Sequence, residues 1–376
     1  MIEFLDVVII GGGPAGAAVA LTLIKRHPNL SIALIEASNY YQWRVGESLS
    51  PDAGKAFREL GIWNSFQHLN ADSAHGTRSA WENECLHENE YFFHPEGKGW
   101  HINRVEFDHW MAQEAANRGV TWLTETRYVR SENITEPYHL LNFKTKDGEL
   151  KLKAGFVVDA SGRSAVFTKE RSGKAHGYDR LSGCIGLFNT TLSQLQTSKY
   201  TMVEASASGW WYSCVLPNQK VLIAFMTDAD ILKKEKWNDS SNFCERISHT
   251  KYIKENLPAR FRPTQMHVLS ASSLRHEKIC GQQWLAVGDA TSTFDPLSSQ
   301  GIYKAIRSGM FGGYAISDFL NGDPTSFEKY TRFVKEEYNE YLLVRSQFYS
   351  KVKRWPEEVF WQRRQSEKGV NKLSRH

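Results

Sequence analysis

The sequence predicts a mixed α/β (α+β) fold, with a doubly wound parallel layer, an inserted antiparallel sheet and C-terminal helices. Three observations lead there. The chain opens on a strand–turn–helix unit, "FLDVVIIGGGPAGAAVALTLIKR", followed by a second apolar run, "SIALIE". Two later apolar runs, in "GFVVDASGR" and "WLAVGDATSTFDPLSSQGI", each deliver an Asp to a glycine-containing turn. Between them, "GCIGLFNTTL", "YTMVEA", "WWYSCVLP" and "KVLIAFMT" are short β-rich stretches of the kind that pair antiparallel.

Length and composition bound these elements. The 376 residues are enough for two interlocked domains, and 41% hydrophobic with 23% charged residues is the balance of a chain with a full-sized core. The longest apolar runs fall well short of the roughly twenty residues of a membrane helix. No basic segment precedes a hydrophobic leader, so the expected location is cytoplasmic, without membrane attachment. Five cysteines lie far apart with no CxxC pair, which predicts reduced, mostly buried thiols and no metal. The formal charge is +4, but from Ser346 onward eight basic residues (Lys351, Lys353, Arg354, Arg363, Arg364, Lys368, Lys372, Arg375) face three acids (Glu357, Glu358, Glu367). No nucleic-acid-binding motif accompanies that charge, so no nucleic-acid partner is expected, and a solvated C-terminal helix is expected over a docking surface for an acidic partner.

The opening unit reads as a strand ending at Ile10, a tight turn, and a helix. Gly11 permits the turn, Gly13 lets backbone approach a pyrophosphate beside Pro14 and Ala15, and Gly16 lets the helix pack on the strand. The helix N-terminus then offers free N–H groups and a positive dipole end to phosphates. Glu36 closes the second strand twenty residues beyond Gly16, placed to accept from ribose hydroxyls. An adenine dinucleotide site follows, with FAD and NAD both open at this point. The later segments narrow it: a strand ending at Asp159, a strand near Leu285–Val287 delivering Gly288 and Asp289 to a crevice, and a helix from about Gly301.

In that order, GGGPAG, Glu36, the "DASGR" turn and "GDA…DP…GI" resemble the FAD-binding fold of aromatic-hydroxylase-type monooxygenases. The resemblance implies FAD as cofactor. It implies Asp289 on the ribityl chain, and Gly301 with Ile302 at a helix N-terminus aimed at the isoalloxazine ring. The stretch "NRVEFDHWM" resembles the same family's Arg-x-x-Phe-Asp segment, making Arg104 a flavin-contact candidate. A helix dipole at that ring edge stabilises the negative charge of reduction.

The segments "WRVGESLSP", "GWWYSCVLP" and "DPLSSQGI" resemble flavin-dependent tryptophan halogenases and their non-halogenating relatives. Three catalytic positions depart from the halogenase pattern. "SAHGTRSAW" (73–81) has no Lys, Ser298 stands where a catalytic Glu follows Pro-Leu, and Tyr212 replaces the second Trp of Trp-x-Trp. The combination with "GTRSAW" more closely resembles flavoproteins that mature quinone-dependent amino-acid oxidases. It implies hydroxylation of a tryptophan side chain in a precursor protein on the way to a tryptophylquinone. The implied partners are that precursor and an external electron donor or reductase, since no second GxGxxG with a nearby acid marks a nicotinamide domain. The alternatives are a halogenase or hydroxylase of a small indole, a flavin-dependent reductase of an isoprenoid lipid, and a non-catalytic flavin-bound maturation chaperone.

Oxygen transfer to an electron-rich indole asks little of a protein acid and much of water exclusion, so a site poor in acids and bases is expected. Trp81, Trp210 and Trp211, with Tyr212, are candidates to wall the substrate pocket or stack with the indole, against ordinary core packing. His75, Arg78, Glu47, Ser298 and Tyr212 are the catalytic candidates, none decisive. Ser48 and Glu47 sit in the segment that the resemblance lays beside the flavin; Glu47 serves there or caps the helix starting "PDAGKAFREL". The expected domains are a discontinuous FAD-binding layer (1–72, 100–176, 270–325), a substrate and partner-binding sheet (73–99, 177–269) and a C-terminal helical segment with the basic tail (326–376). "KYIKENLPARFR" reads as a helix stopped by Pro258.

Overall fold

In the computed structural model, which describes residues 2–132, 137–190, 199–217, 219–258 and 260–365, the first strand (Glu3–Ile10) lies at the centre of a parallel layer. Its Val7–Ile10 half is buried on both faces, as a continuous apolar run in a helix-covered parallel sheet requires. It pairs in parallel with Ile32–Ile35 on one side and with Gly148–Asp159 on the other. Thr121–Leu123 extends the first side and Trp284–Ala286 the second, both in parallel. Register brings the carboxyl ends together: Ile10 stands opposite both Ile35 and Asp159, and Asp159 opposite Ala286. The chain leaves the first strand toward Ile32–Ile35 and later returns to the other side, so the order reverses beside the turns after Ile10 and Asp159. Ligands of open α/β sheets bind at such a reversal.

The opening helix (Pro14–Arg26) is buried from Pro14 through Ile24, packed against the twenty-residue helix Gly301–Leu320. A Cβ at Gly309 would run into the Ala15 carbonyl, so a glycine there sets how closely the two helices approach.

The second large sheet, seven-stranded among the described residues, runs in the order Gln265–Ser270, Leu181–Asn189, Lys220–Asp228, Gly209–Leu216, Tyr200–Ser206, Gly76–Ala80, His87–Glu90. It is antiparallel except where Tyr200–Ser206 meets Gly76–Ala80 in parallel, a departure from the purely antiparallel expectation. Gly209–Leu216 is buried along its whole length, and successive residues fall into different cores. Trp210, Tyr212 and Cys214 pack with Leu222, Ala224, Tyr349 and Trp361; Trp211 packs with Phe225, Trp237 and Phe243 on the opposite face.

C-terminal to the parallel layer, Ser326–Ser350 forms a long helix and Val359–Gln365 a short one. The solvated-helix expectation needs correction here: Arg364 is buried on Asp228 (2.6 Å), and Arg363 bonds Asp228 and Asp230 (both 2.8 Å). Burial opposes the Arg364 charge, but the Asp228 carboxylate holds it on. These two basic residues clamp the Val359–Gln365 helix to the sheet; Lys368, Lys372 and Arg375 lie outside the described residues.

The segment "KYIKENLPARFR" is also corrected: among its described residues the helical structure is one 3-10 turn at Ile253–Asn256. The Glu204 carboxylate accepts from the Lys251, Tyr252 and Ile253 amides, tying down its start, and Pro258 follows closely. Among the described residues no helix is long and apolar enough to cross a membrane, and no group of three or more His, Cys, Asp or Glu is arranged to hold a metal ion.

Candidate functional site

A cavity of about 560 Å³ opens at the carboxyl ends of the parallel strands, roofed by Tyr212, Leu222, Ala224 and Met226 of the second sheet. At one end lie Gly11, Gly13, Pro14 and Ala15. Gly11 has φ +115°, and a Cβ there would strike the Ala160 carbonyl, so the two turns at the strand reversal touch directly. A Cβ on Gly16 would strike the Gly11 carbonyl; Gly16 packs the turn and is not in the cavity wall. At Gly13 a Cβ would meet no protein atom within 4 Å, which leaves the helix N-terminus open to the cavity. Gly13 is also the N-cap, with no side chain capping the free N–H groups.

Glu36 lines this end, engaged by the Gly12 N–H (2.9 Å), the Ser38 N–H and hydroxyl (2.9 and 2.6 Å) and Arg44 (3.0 Å). Arg44 also donates to Asp108 (2.9 Å), which receives Nε and Nη2 of Arg104 at 2.9 Å each. Asp108 is fully buried. Burial opposes charge on both guanidiniums, and Asp108 outweighs it, holding Arg44 and Arg104 firmly protonated. Arg104 lines the cavity and also donates to the Val45 carbonyl, tying the Arg44–Ser48 strap in place.

Asp159 lies elsewhere than the sequence suggests. It is fully buried outside the cavity wall, accepting from the Ser161 amide and hydroxyl, the Phe167 and Thr168 amides and the Thr168 hydroxyl. Its carboxylate organises the turn and the helix start that follow it, so Ala160 and Ser161 reach the cavity in its stead.

Gly288 adopts φ +61°, where an added Cβ would crowd the Ala15 side chain at 2.8 Å, and it too lies behind the wall. Asp289 lines the cavity, paired with the buried Lys304 at 2.8 Å and with Arg163 at 3.7 Å. Burial works against its ionisation, but Lys304 and Arg163 overcome it and hold the carboxyl below the usual range. Beyond it, Asp295, Pro296, Ser298 and Ser299 form a loop into the start of the Gly301–Leu320 helix, where Gly301 and Ile302 face the cavity and no side chain caps the N-terminus. Asp295 is gripped from behind by Leu297 N–H (3.0 Å), Arg345 (3.1 Å) and Tyr349 (2.8 Å), so the long C-terminal helix holds the loop.

Opposite that loop, Glu47 is 3% exposed and lines the wall. It does not cap the Ala53–Leu60 helix, whose N-cap is Asp52. Burial pushes its carboxyl up to about 7, with Arg104 acting against the shift. Ser48 hydrogen-bonds the Tyr212 hydroxyl (2.9 Å) and meets Thr201 (3.3 Å), which in turn meets Nε2 of the buried His101 (3.1 Å). This chain of hydroxyls joins the strap to the second sheet.

The other candidates lie apart from the cavity. His75 is exposed, edge-on to Tyr200; Arg78 pairs with Glu88 (2.9 Å) and stacks on Tyr200. Trp81 donates to the Phe348 carbonyl (2.8 Å) and Trp210 to the Tyr349 hydroxyl (2.9 Å), both in the core under the C-terminal helix. Trp211 points to the far face, where it borders a separate, shallower cavity with Trp237 and Trp355. Strand alternation decides this: of the three consecutive aromatics, only Tyr212 reaches the main cavity. Arg44, Asp108, Arg163 and Lys304 were not singled out from sequence; "WRVGES", "RVEFDHW", "DASGR" and "GIYKA" contained the signal, basic and acidic residues within or beside the cofactor motifs.

An open helix N-terminus, a flexible turn approached by backbone, and a second uncapped helix at the far end suit a long ligand with a pyrophosphate at one end and an electron-accepting ring at the other. The comparisons agree. Putative FAD-dependent oxidoreductase LodB of Marinomonas mediterranea is 27% identical over 365 residues, 96% of this chain and 97% of the relative. A 1H-pyrrole-2-carbonyl-[peptidyl-carrier protein] brominase of Pseudoalteromonas luteoviolacea is 24% identical over 329 residues, covering 85% and 78%. In fold, the chain is similar to the flavin-dependent halogenase CmlS (TM-score 0.86, 20% identity, 100% of this chain and 70% of that one). It is also similar to QhpG, a peptidyl tryptophan dihydroxylase essential for tryptophylquinone cofactor biogenesis (TM-score 0.78, 20% identity, 97% and 79%). The family described as FAD binding domain matches residues 5–333, and this chain belongs to it, as an enzyme whose cofactor is FAD.

Proposed function

We propose that this FAD-dependent enzyme hydroxylates a tryptophan side chain within a precursor protein, during biogenesis of a tryptophylquinone cofactor. The observation that carries the reading is the cavity wall at the Gly301 end: among the described residues it holds no lysine, and Ser298 occupies the place where halogenases, by resemblance, carry a glutamate. Similarity in fold to a peptidyl tryptophan dihydroxylase supports it.

FAD, when bound and reduced, would supply the two electrons that activate dioxygen, one atom of which goes to the substrate while the other leaves as water. The chain's own residues bind, orient and keep the space dry. Gly13 and the opening helix take the pyrophosphate, and Arg44 and Arg104, fixed by Asp108, hold the strap against the cavity. Leu222, Ala224 and Met226 give an apolar roof that excludes water, while Tyr212, fixed by Ser48, offers a polar edge for an indole N–H. The reductant is an external donor, and the substrate is the precursor of a quinone-dependent amino-acid oxidase.

The test is the intact mass and peptide map of such a precursor, co-expressed with the chain, without it, and with Gly13→Glu. Oxygen-sized increments on one tryptophan, only with the unaltered chain, are expected; an unmodified precursor rejects the reading for that partner. A second reading, halogenation of a small aromatic, draws on the brominase relative and on the hydroxyls of Ser298 and Ser299 in the wall. Halide-dependent mass increments on free indoles or pyrroles would select it.

A further inference from the structure

Contrary to the expectation of a site poor in acids and bases, five carboxylates line the cavity: Glu36, Glu47, Asp108, Asp289 and Asp295. Four have hydrogen-bonding partners on their carboxylates. Glu36 takes Gly12, Ser38 and Arg44; Asp108 takes Arg44 and Arg104; Asp289 takes Lys304; Asp295 takes Leu297, Arg345 and Tyr349. Glu47 differs. Its Oε1 is buried and has no hydrogen-bond partner among the described residues, on a side chain only 3% exposed. A buried, unpartnered carboxyl oxygen in a cofactor cavity is costly unless the acid is neutral or a bound group completes it.

Its place in the cavity says which part of the cofactor it meets. The strap packs on the first turn of the Gly301–Leu320 helix, since a Cβ at Gly46 would stand 3.7 Å from Ile302. Ser48, the next residue, is bonded to Tyr212 in the roof. Glu47 therefore belongs to the end opposite the Gly13 cradle, the end left for the electron-accepting ring once the pyrophosphate occupies the other.

We propose that Glu47 couples its proton to the charge on bound FAD. The carboxyl is held as a neutral acid when electrons enter the cofactor, and its ionisation at higher pH opposes that gain of negative charge. The step is a proton equilibrium at Glu47 alone: the O–H bond breaks, the proton goes to solvent, and the carboxylate left behind repels charge gained by the cofactor. The groups facing Glu47 are Arg104 and the Gly46 and Glu47 backbone N–H groups, which favour its ionised form, and Tyr212 and Cys214. Burial first keeps these two neutral, helped by the Cys214 and Glu47 charges at Tyr212 and by the Glu47 charge at Cys214. Burial dominates and keeps the acid protonated up to about 7. Linkage makes the effect reciprocal: if ionised Glu47 disfavours reduction, reduction raises the affinity of Glu47 for its proton.

This inference rests on FAD as cofactor and is independent of the substrate. The experiment is the reduction midpoint potential of the FAD-loaded protein from pH 5.5 to 8.5, for the unaltered chain, Glu47→Gln and Glu47→Asp, with the visible flavin spectrum recorded at each pH. Glu47→Gln is expected to match the unaltered chain below about pH 6 and to lie at a more positive potential above about pH 7.5, where Glu47 is ionised. Glu47→Asp should keep a pH-dependent inflection, shifted in position. A Gln variant that tracks the unaltered chain at every pH, or lies at one constant offset, overturns the proposal, the latter marking a purely structural role. If Glu47→Gln does not retain FAD, the unaltered chain decides: no inflection in potential or spectrum across the window overturns it. Failure of the unaltered chain itself to bind FAD would instead overturn the cofactor reading.

Discussion

Replacing Gly13 by alanine separates cofactor binding from folding, and Gly11 supplies the contrast. Gly13 has φ −75° and ψ −175°, a conformation any residue adopts, and a Cβ there meets nothing within 4 Å. The fold therefore loses only the difference between Gly and Ala at an N-cap, about 0.5–1 kcal/mol. The added methyl projects into the space a pyrophosphate needs, and an affinity loss of at least about tenfold, roughly 1.4 kcal/mol, is expected. Gly11→Ala acts on the fold instead. At φ +115° a side chain strains the backbone by about 1–3 kcal/mol, and pushing aside the Ala160 carbonyl adds about 1–3 more. Urea unfolding of cofactor-free protein and FAD titration by flavin fluorescence quenching measure the two effects. Gly13→Ala with unaltered FAD affinity refutes the reasoning, as does an equal loss of stability in both variants.

Three further outcomes follow from buried charges. Asp108→Asn leaves Arg44 and Arg104 without their shared carboxylate and should cost about 3 kcal/mol in urea unfolding, the low end for a broken buried pair because Arg44 keeps Glu36; unchanged stability contradicts it. Asp159→Ala strips the acceptor from three amides and two hydroxyls and should cost at least about 3 kcal/mol, while folded protein binds FAD within about threefold of the unaltered chain; lost FAD affinity at retained stability would return Asp159 to the cofactor. His101 and Glu47 should tilt the pH dependence of stability in opposite senses. Burial pushes the His101 ring from its ordinary 6.5 down to about 4, so the unfolded chain binds the extra proton and stability falls, by up to about 3 kcal/mol, as pH drops through that window. Burial pushes Glu47 from 4.5 up to about 7, so its contribution is lost as pH rises through that range. His101→Gln should remove the first slope and Glu47→Gln the second in denaturant midpoints measured from pH 4 to 8; identical curves for all three proteins refute both assignments.

Features set by a few adjacent residues were legible in the sequence. The Gly11–Gly16 turn, Glu36 at the end of a strand, and a helix starting at Gly301 follow from backbone conformation and apolar periodicity within one short window, and each stands where the motif puts it. What depends on pairing between distant segments did not show. Trp210, Trp211 and Tyr212 are three neighbours of similar chemistry; only the register of Gly209–Leu216 against Lys220–Asp228 sends one to the cavity and the others to two cores. Arg44 finds Asp108, and Ser48 finds Tyr212, across loops whose closure no local pattern encodes. Asp159 reads as a site carboxylate because it ends a strand beside a glycine turn, yet the amides of the next helix claim it first. The sequence by itself determined the cofactor fold, because phosphate-binding turns need particular residues at particular spacings. Tertiary structure decided which side chains face the cavity and which carry charge there, because burial and pairing, set by the whole chain, govern both.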